Sequence, residues 1–209
     1  MPQYPLERFV SFLALFALLI LAMAAHEFAH SLTAYKLGDS TARHSGRLTL
    51  NPFAHIDIFW TILLPLMLFM STGLFIAAAK PVPINYWALR NPKKDMVLIG
   101  ISGCAANFLF ALLLSILLRF LPMNLLLTSI FSKLIYINVI LGVFNLIPIP
   151  PLDGSRVLMG LLPRGPAEQY AAIEPFGFII VLALFALGVL GLVIGPIVTI
   201  IMRLLGVPF

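Results

Sequence analysis

The sequence predicts an all-α polytopic membrane protein, and three observations carry that expectation. Apolar residues fill 61% of 209 positions and charged residues only 10%, where a water-soluble domain carries about a quarter charged residues. The mean hydropathy is +1.07. The apolar residues also gather into runs close to the roughly 20 residues that a helix needs to cross a bilayer. Too little polar surface remains to cover a particle facing water, so most of the solvent around the chain is lipid.

Five such runs follow one another: Phe9 to Tyr35, Phe59 to Ala79, Met96 to Leu121, Leu125 to Ile149 and Phe176 to Leu205. The first follows Arg8 and imitates a secretory signal. It lacks a small-residue cleavage site and continues into ionisable residues, so it is read as a retained helix. After it, Lys36 to Ile58 holds the breakers Gly38, Gly46 and Pro52, and Arg47-Leu48-Thr49-Leu50 alternates polar with apolar. That alternation predicts a short membrane-associated strand or hairpin. A proline-punctuated loop, Pro81-Val82-Pro83 to Asp95, leads into the third run. The fourth meets Pro148, Pro150 and Pro151, which remove backbone donors and end or kink a helix. The last is interrupted by Gly195-Pro196, so it is expected to kink or split there. With no internal repeat or long linker, the chain reads as one membrane-embedded domain over 1–209, with a core over 9–163 and a C-terminal membrane segment over 176–205.

The formal net charge is +5, but the basic residues lie singly in short loops and form no stripe of the kind that tracks a nucleic acid. They read instead as charges that orient the chain in the bilayer. The one cysteine, Cys104, excludes an intramolecular disulfide.

His26-Glu27-Phe28-Ala29-His30 is the pattern H-E-x-x-H. On a helix, residues four apart share a face one turn apart, so both imidazoles can reach one Zn²⁺. Glu27, beside the first ligand, is placed to take a proton from a water that the metal activates. Ionisable groups inside an apolar helix are costly and mark function by default. A catalytic zinc site takes three protein ligands and keeps one position open. His44, His55, Asp57 and Asp153 are the candidates for the third. Asp153 follows the helix-breaking run Asn145 to Leu152, and unwound backbone at membrane depth is tolerated where it lines a cavity. An aspartate that merely opens the next short helix is the competing reading.

These residues resemble the site-2 proteases, the intramembrane zinc metalloproteases. Three ordered motifs carry the resemblance: His26 to His30, Gly103 to Asn107, and Asn145 to Gly154 with its N-x-x-P and L-D-G elements. Gly46 to Asp57 and Lys80 to Pro83 further resemble the compact prokaryotic branch that lacks a PDZ or CBS domain. The resemblance implies that His26, His30 and Asp153 bind one Zn²⁺ and that Glu27 is the general base. It departs from the family at Cys104, which stands where a proline usually follows Gly103; small residues and Asn107 are kept, so close helix approach survives. The expected reaction is hydrolysis of peptide bonds in a transmembrane protein or peptide within the lipid bilayer. Buried asparagine amides can help stabilise the oxyanion, Asn145 first and Asn107 second. His55 and Asp57 read as loop anchors or as groups near the zinc.

Convergence of the ligands constrains topology. His26 and His30 lie late in the first run, and Asp153 follows a run that returns from an out-and-back pair. Lys36 to Asp95 must therefore begin and end on one side, so 59–79 is expected to re-enter, turning near Ser71-Thr72-Gly73, or to hide a second crossing, for five to six hydrophobic segments in all. That side gathers nine basic residues (Lys36, Arg43, Arg47, Lys80, Arg90, Lys93, Lys94, Arg156, Arg164) against four on the other (Arg8, Arg119, Lys133, Arg203). The positive-inside rule then places it in the cytoplasm, with the active site opening toward the cytoplasm from a prokaryotic cell (inner) membrane. Two other function classes share parts of the pattern: a catalytically silent membrane scaffold, and a metal-binding or transport protein. The intact Glu27 argues against the first, and the lack of a second ligand set argues against the second.

Overall fold

The computed structural model describes residues 5–72, 78–120, 122 and 124–207. All regular structure among them is helical. Helix α1 (Pro5–Lys36) is followed by the single turn α2 (Thr41–His44), a 3-10 turn (Pro52–His55), a π-turn (Ile58–Leu63) and α3 (Leu64–Thr72). Then come α4 (Pro92–Phe120), α5 (Leu125–Asn145), α6 (Asp153–Leu161), α7 (Arg164–Ala171), α8 (Gly177–Ala186) and α9 (Val189–Leu204).

Four helical stretches among the described residues are long and apolar enough to cross a membrane: Phe12–Lys36, Pro92–Phe120, Leu125–Asn145 and Arg164–Ala186. The shortest has 21 residues, about 31 Å at the helical rise. Helices suit this solvent because every internal backbone donor is satisfied within the segment. Ends are closed by side chains. Asn124 accepts from the Leu127 amide to open α5, and Asp57 accepts from the Phe59 and Trp60 amides, caps worth about 1 kcal/mol each.

Helices α4, α5 and α9 enclose the main apolar core, with Ala111, Ile135, Val139, Val198 and Met202 at its centre. Helix α1 packs antiparallel on α4: His26 meets Asn107 and His30 meets Ile99. Helix α6 lies close on the first turns of α4. A side chain at Gly100 would press on the Asp153 carbonyl, and one at Gly160 on Val97. Small residues let helix backbones approach where no hydrophobic force distinguishes helix from lipid.

The connection from α1 to α4 is clipped together at its two ends. The Arg90 amide donates to the Leu37 carbonyl. The buried Asp39 carboxylate accepts from the Thr41 amide with one oxygen and the Asn85 amide with the other. Ala34, Leu89 and Ile99 form a small apolar cluster beneath. Further along, the Ala78 amide donates to the Trp60 carbonyl, the Thr61 hydroxyl to the Ala78 carbonyl, and the Lys80 amide to the His55 carbonyl.

Two expectations are corrected. Arg47 to Leu50 is not a strand but an irregular run of bends. Its polar groups turn to the loop and to α1: the Arg47 guanidinium donates to the Ala54 carbonyl, and the Arg47 carbonyl accepts from the Ser31 hydroxyl. The last hydrophobic segment splits at Gly188, not at Gly195-Pro196. Gly188 takes the left-handed conformation, φ +72°, which glycine reaches without a Cβ clash, while Pro196 stays inside α9. Part of the expected turn near Ser71-Thr72-Gly73 lies outside the described residues, since Gly73 does.

Candidate metal centre

One face of α1 and one face of α4 build most of the site. His26 and His30 are four residues apart on α1 and both are buried. Opposite them, Ile99, Gly103 and Asn107 recur at the same four-residue spacing on α4, so all three lie on one stripe. Asp153 opens α6 after the proline-rich turn. Gly154 lets that turn close, because a side chain there would strike the Leu146 and Ile147 carbonyls.

The three ligand atoms form a nearly equilateral triangle. His26 Nε2 lies 2.9 Å from Asp153 Oδ2, His30 Nε2 lies 3.0 Å from the same oxygen, and the two Nε2 atoms are 3.0 Å apart. A tetrahedral face around zinc, with bonds of 2.0–2.1 Å, has edges of about 3.3 Å. The triangle is a slightly contracted version of that face.

The partners on the far side of each ring explain why the triangle wants a cation. His26 Nδ1 lies 2.5 Å from Asn107 Oδ1, and His30 Nδ1 lies 2.7 Å from the Ile99 carbonyl oxygen. Both partners are acceptors, so each Nδ1 carries the hydrogen and a neutral ring turns a bare lone pair inward. Two lone pairs and a carboxylate oxygen then face one another in a buried space. One added proton could bridge a single edge; a cation at the centre satisfies all three. Two neutral imidazoles and one carboxylate, with a fourth position left open, are a donor set that zinc takes in catalytic sites. Gly103 keeps the space clear, since a Cβ there would meet His30 Nε2 and the His26 ring.

Asp153 Oδ1 is turned away from the histidines and lies 3.4 Å from Arg156 Nη1. Glu27, beside His26 on α1, is partly buried, and no described residue hydrogen-bonds or ion-pairs with its carboxylate. Of the expected site residues, His26, His30 and Asp153 are therefore brought together, with Asn107 against His26. Asn145 donates to the Leu141 carbonyl one turn back in its own helix. The other candidate ligands lie elsewhere: His44 Nδ1 pairs with the Ser40 carbonyl, the Thr49 carbonyl accepts from His55 Nε2, and Asp57 caps a helical turn. Sequence reasoning missed Arg156 and also Asn138 on α5, whose Oδ1 accepts from the Asn107 amide. A lone asparagine in an apolar span was the available signal for Asn138.

Comparison with known proteins bears on this geometry. The model of a family described as "Peptidase family M50" matches residues 122–186, which include Asp153. The "Putative zinc metalloprotease YwhC" of Bacillus subtilis is 39% identical over 176 residues, covering 80% of this chain and 77% of that protein. The "Putative zinc metalloprotease Rip2" of Mycolicibacterium smegmatis is 29% identical over 182 residues, covering 86% of this chain and 69% of that one. No solved structure matches the chain.

Proposed function

As a member of peptidase family M50, the site-2 proteases, the chain is a membrane zinc metalloprotease, and from that premise we propose that it hydrolyses peptide bonds of transmembrane substrates with Glu27 as general base. The observation that carries this reading is the convergence of His26, His30 and Asp153, residues up to 127 positions apart, beside a carboxylate with no hydrogen bond or ion pair among the described residues. His26, His30 and Asp153 would hold the zinc, which would supply a Lewis acid to acidify water and polarise the scissile carbonyl. The residues of the chain do the rest. Glu27 receives the proton and passes it to the leaving amine. Asn145, at the end of α5 where the proline-rich turn begins, is the donor we assign to the developing oxyanion; its amide exchanges the Leu141 carbonyl for the substrate. Asn107 has its amide hydrogens directed to the Ala22 carbonyl and Asn138 Oδ1, which favours orienting His26 over contact with substrate.

The placement in the membrane follows the same reading. The bonds from Arg90 to Leu37 and from Asn85 to Asp39 support a connection that begins and ends on one side. Pairing of residue 78 with residues 60 and 61 supports a re-entrant segment over 59–79 in place of a crossing. The nine basic residues on that side favour a cytoplasmic face, in a prokaryotic cell (inner) membrane, with the chain acting as a single domain.

Comparison of membrane-fraction proteomes from cells carrying the wild type or Glu27→Gln tests the chemistry. The expected result is a membrane protein that accumulates uncut only in the variant, while both purified proteins hold about one zinc per chain. Identical proteomes with zinc retained in both overturn the proposal.

A further inference from the structure

A buried amide chain leads away from the metal centre and ends in the core. Asn107 and Asn138 are both wholly buried, on α4 and α5. Asn138 Nδ2 donates to the Leu134 carbonyl at 2.8 Å, Asn107 Nδ2 donates to Asn138 Oδ1 at 2.9 Å, and His26 Nδ1 donates to Asn107 Oδ1 at 2.5 Å. Asn107 Nδ2 also reaches the Ala22 carbonyl at 3.3 Å.

The direction of every bond in this chain is fixed by its ends. The two faces of an amide are told apart only by their partners. The Leu134 carbonyl can only accept, so Asn138 presents its NH₂ there and its oxygen to Asn107. Asn107 must then present NH₂ to Asn138, a choice the Ala22 carbonyl reinforces, and its oxygen to His26. His26 can answer only with Nδ1–H, which leaves Nε2 bare toward Asp153 and His30. Rotation of the Asn107 amide would place a donor against Nδ1 and move the proton to the metal-facing nitrogen. Both amides would leave buried groups unpaired in doing so, a costly state in a site of low dielectric.

We propose that Asn138 is a positioning residue for the metal centre: through Asn107 it locks His26 in the tautomer that binds zinc. The inference rests on His26 being a metal ligand. Among the described residues, the Asn138 side chain hydrogen-bonds only Asn107 and the Leu134 carbonyl, so its effect is expected to pass through Asn107.

The test uses the full-length chain in detergent, stripped of metal and titrated with Co²⁺ alone, with affinity and the visible absorption bands as readouts. Asn138→Leu removes the acceptor and is expected to weaken Co²⁺ binding about tenfold, in the range of other outer partners of metal ligands. Asn138→Asp, isosteric and neutral when buried, keeps an acceptor toward Asn107 and is expected to stay within about twofold of wild type. The double variant Asn107→Leu with Asn138→Leu is expected to match Asn107→Leu alone, because two residues acting in series do not add. Wild-type affinity in Asn138→Leu, or additive losses in the double variant, overturns the proposal. Should Asn138→Leu fail to fold, Asn138→Asp decides it: a tenfold loss there, with helical content intact, counts against the tautomer lock. His26→Ala separates the two levels of inference, since full Co²⁺ affinity in that variant removes the metal-ligand assignment itself.

Discussion

At Gly103 a single added atom would bear on two of the candidate metal ligands. Its ideal Cβ would meet His30 Nε2 and the His26 ring, so Gly103→Ala is expected to lower zinc content well below one per chain while α4 persists. Metal analysis beside far-ultraviolet circular dichroism checks this. Alanine favours a helix over glycine by about 1 kcal/mol, so loss of helix is not the expected route. The opposite case is Arg156, partly exposed and 3.4 Å from Asp153 Oδ1. Arg156→Leu is expected to loosen metal binding only a few fold, because a water can take its place; competition against a chelator measures it. Much of this was legible in the sequence at residue scale. His26, Glu27 and His30 lie within one turn, and helical periodicity alone puts both imidazoles on one face. Asp153 was not readable from spacing, because its distance from the histidines is set by the packing of α6 on α4; resemblance to a family supplied it. Asn138 escaped because a lone amide in an apolar span reveals no partner until α4 and α5 are placed side by side.

Between elements, the sequence gives sound positions for helices and weaker ones for their breaks. The alternation at Arg47 to Leu50 reads as a strand, but strands need neighbours with free backbone groups, and here Arg47 engages Ser31 of α1 with its carbonyl and the Ala54 carbonyl with its guanidinium. At the C-terminal end, proline is the louder signal and glycine the effective one. Pro196 remains within α9, whereas Gly188 supplies the left-handed turn between α8 and α9. Among the described residues, no atom beyond its chain neighbours lies within 4 Å of a Cβ at Gly188. Gly188→Ala should therefore cost only the backbone strain, about 1–2 kcal/mol, seen as a lower unfolding temperature in detergent with zinc content unchanged. Gly154→Ala is the contrasting case, because its Cβ strikes the Leu146 and Ile147 carbonyls. Moving that turn moves Asp153, so zinc content is expected to fall along with stability.

At the scale of the molecule, the antiparallel contact of α1 with α4 makes topology and chemistry one question. Cysteines placed singly at Lys36 and Lys93 lie at the last position of one helix and near the start of the other. Under the proposed orientation both are expected to react with a membrane-impermeant reagent only after the cytoplasmic face is opened. Cys104, the native thiol, is buried, so background labelling should be low. Reaction of the two from opposite faces would break the parity on which the proposed re-entrant segment depends.

The groups that grip both histidine rings, the Ile99 carbonyl and the Asn107 amide, belong to a single rigid rod. A slide of that rod along its neighbour by even one residue, about 1.5 Å, would release both rings at once. Zinc occupancy therefore works as a vernier for helix register: lipid or detergent conditions that shear the pair should empty the site in one step, without a half-held intermediate.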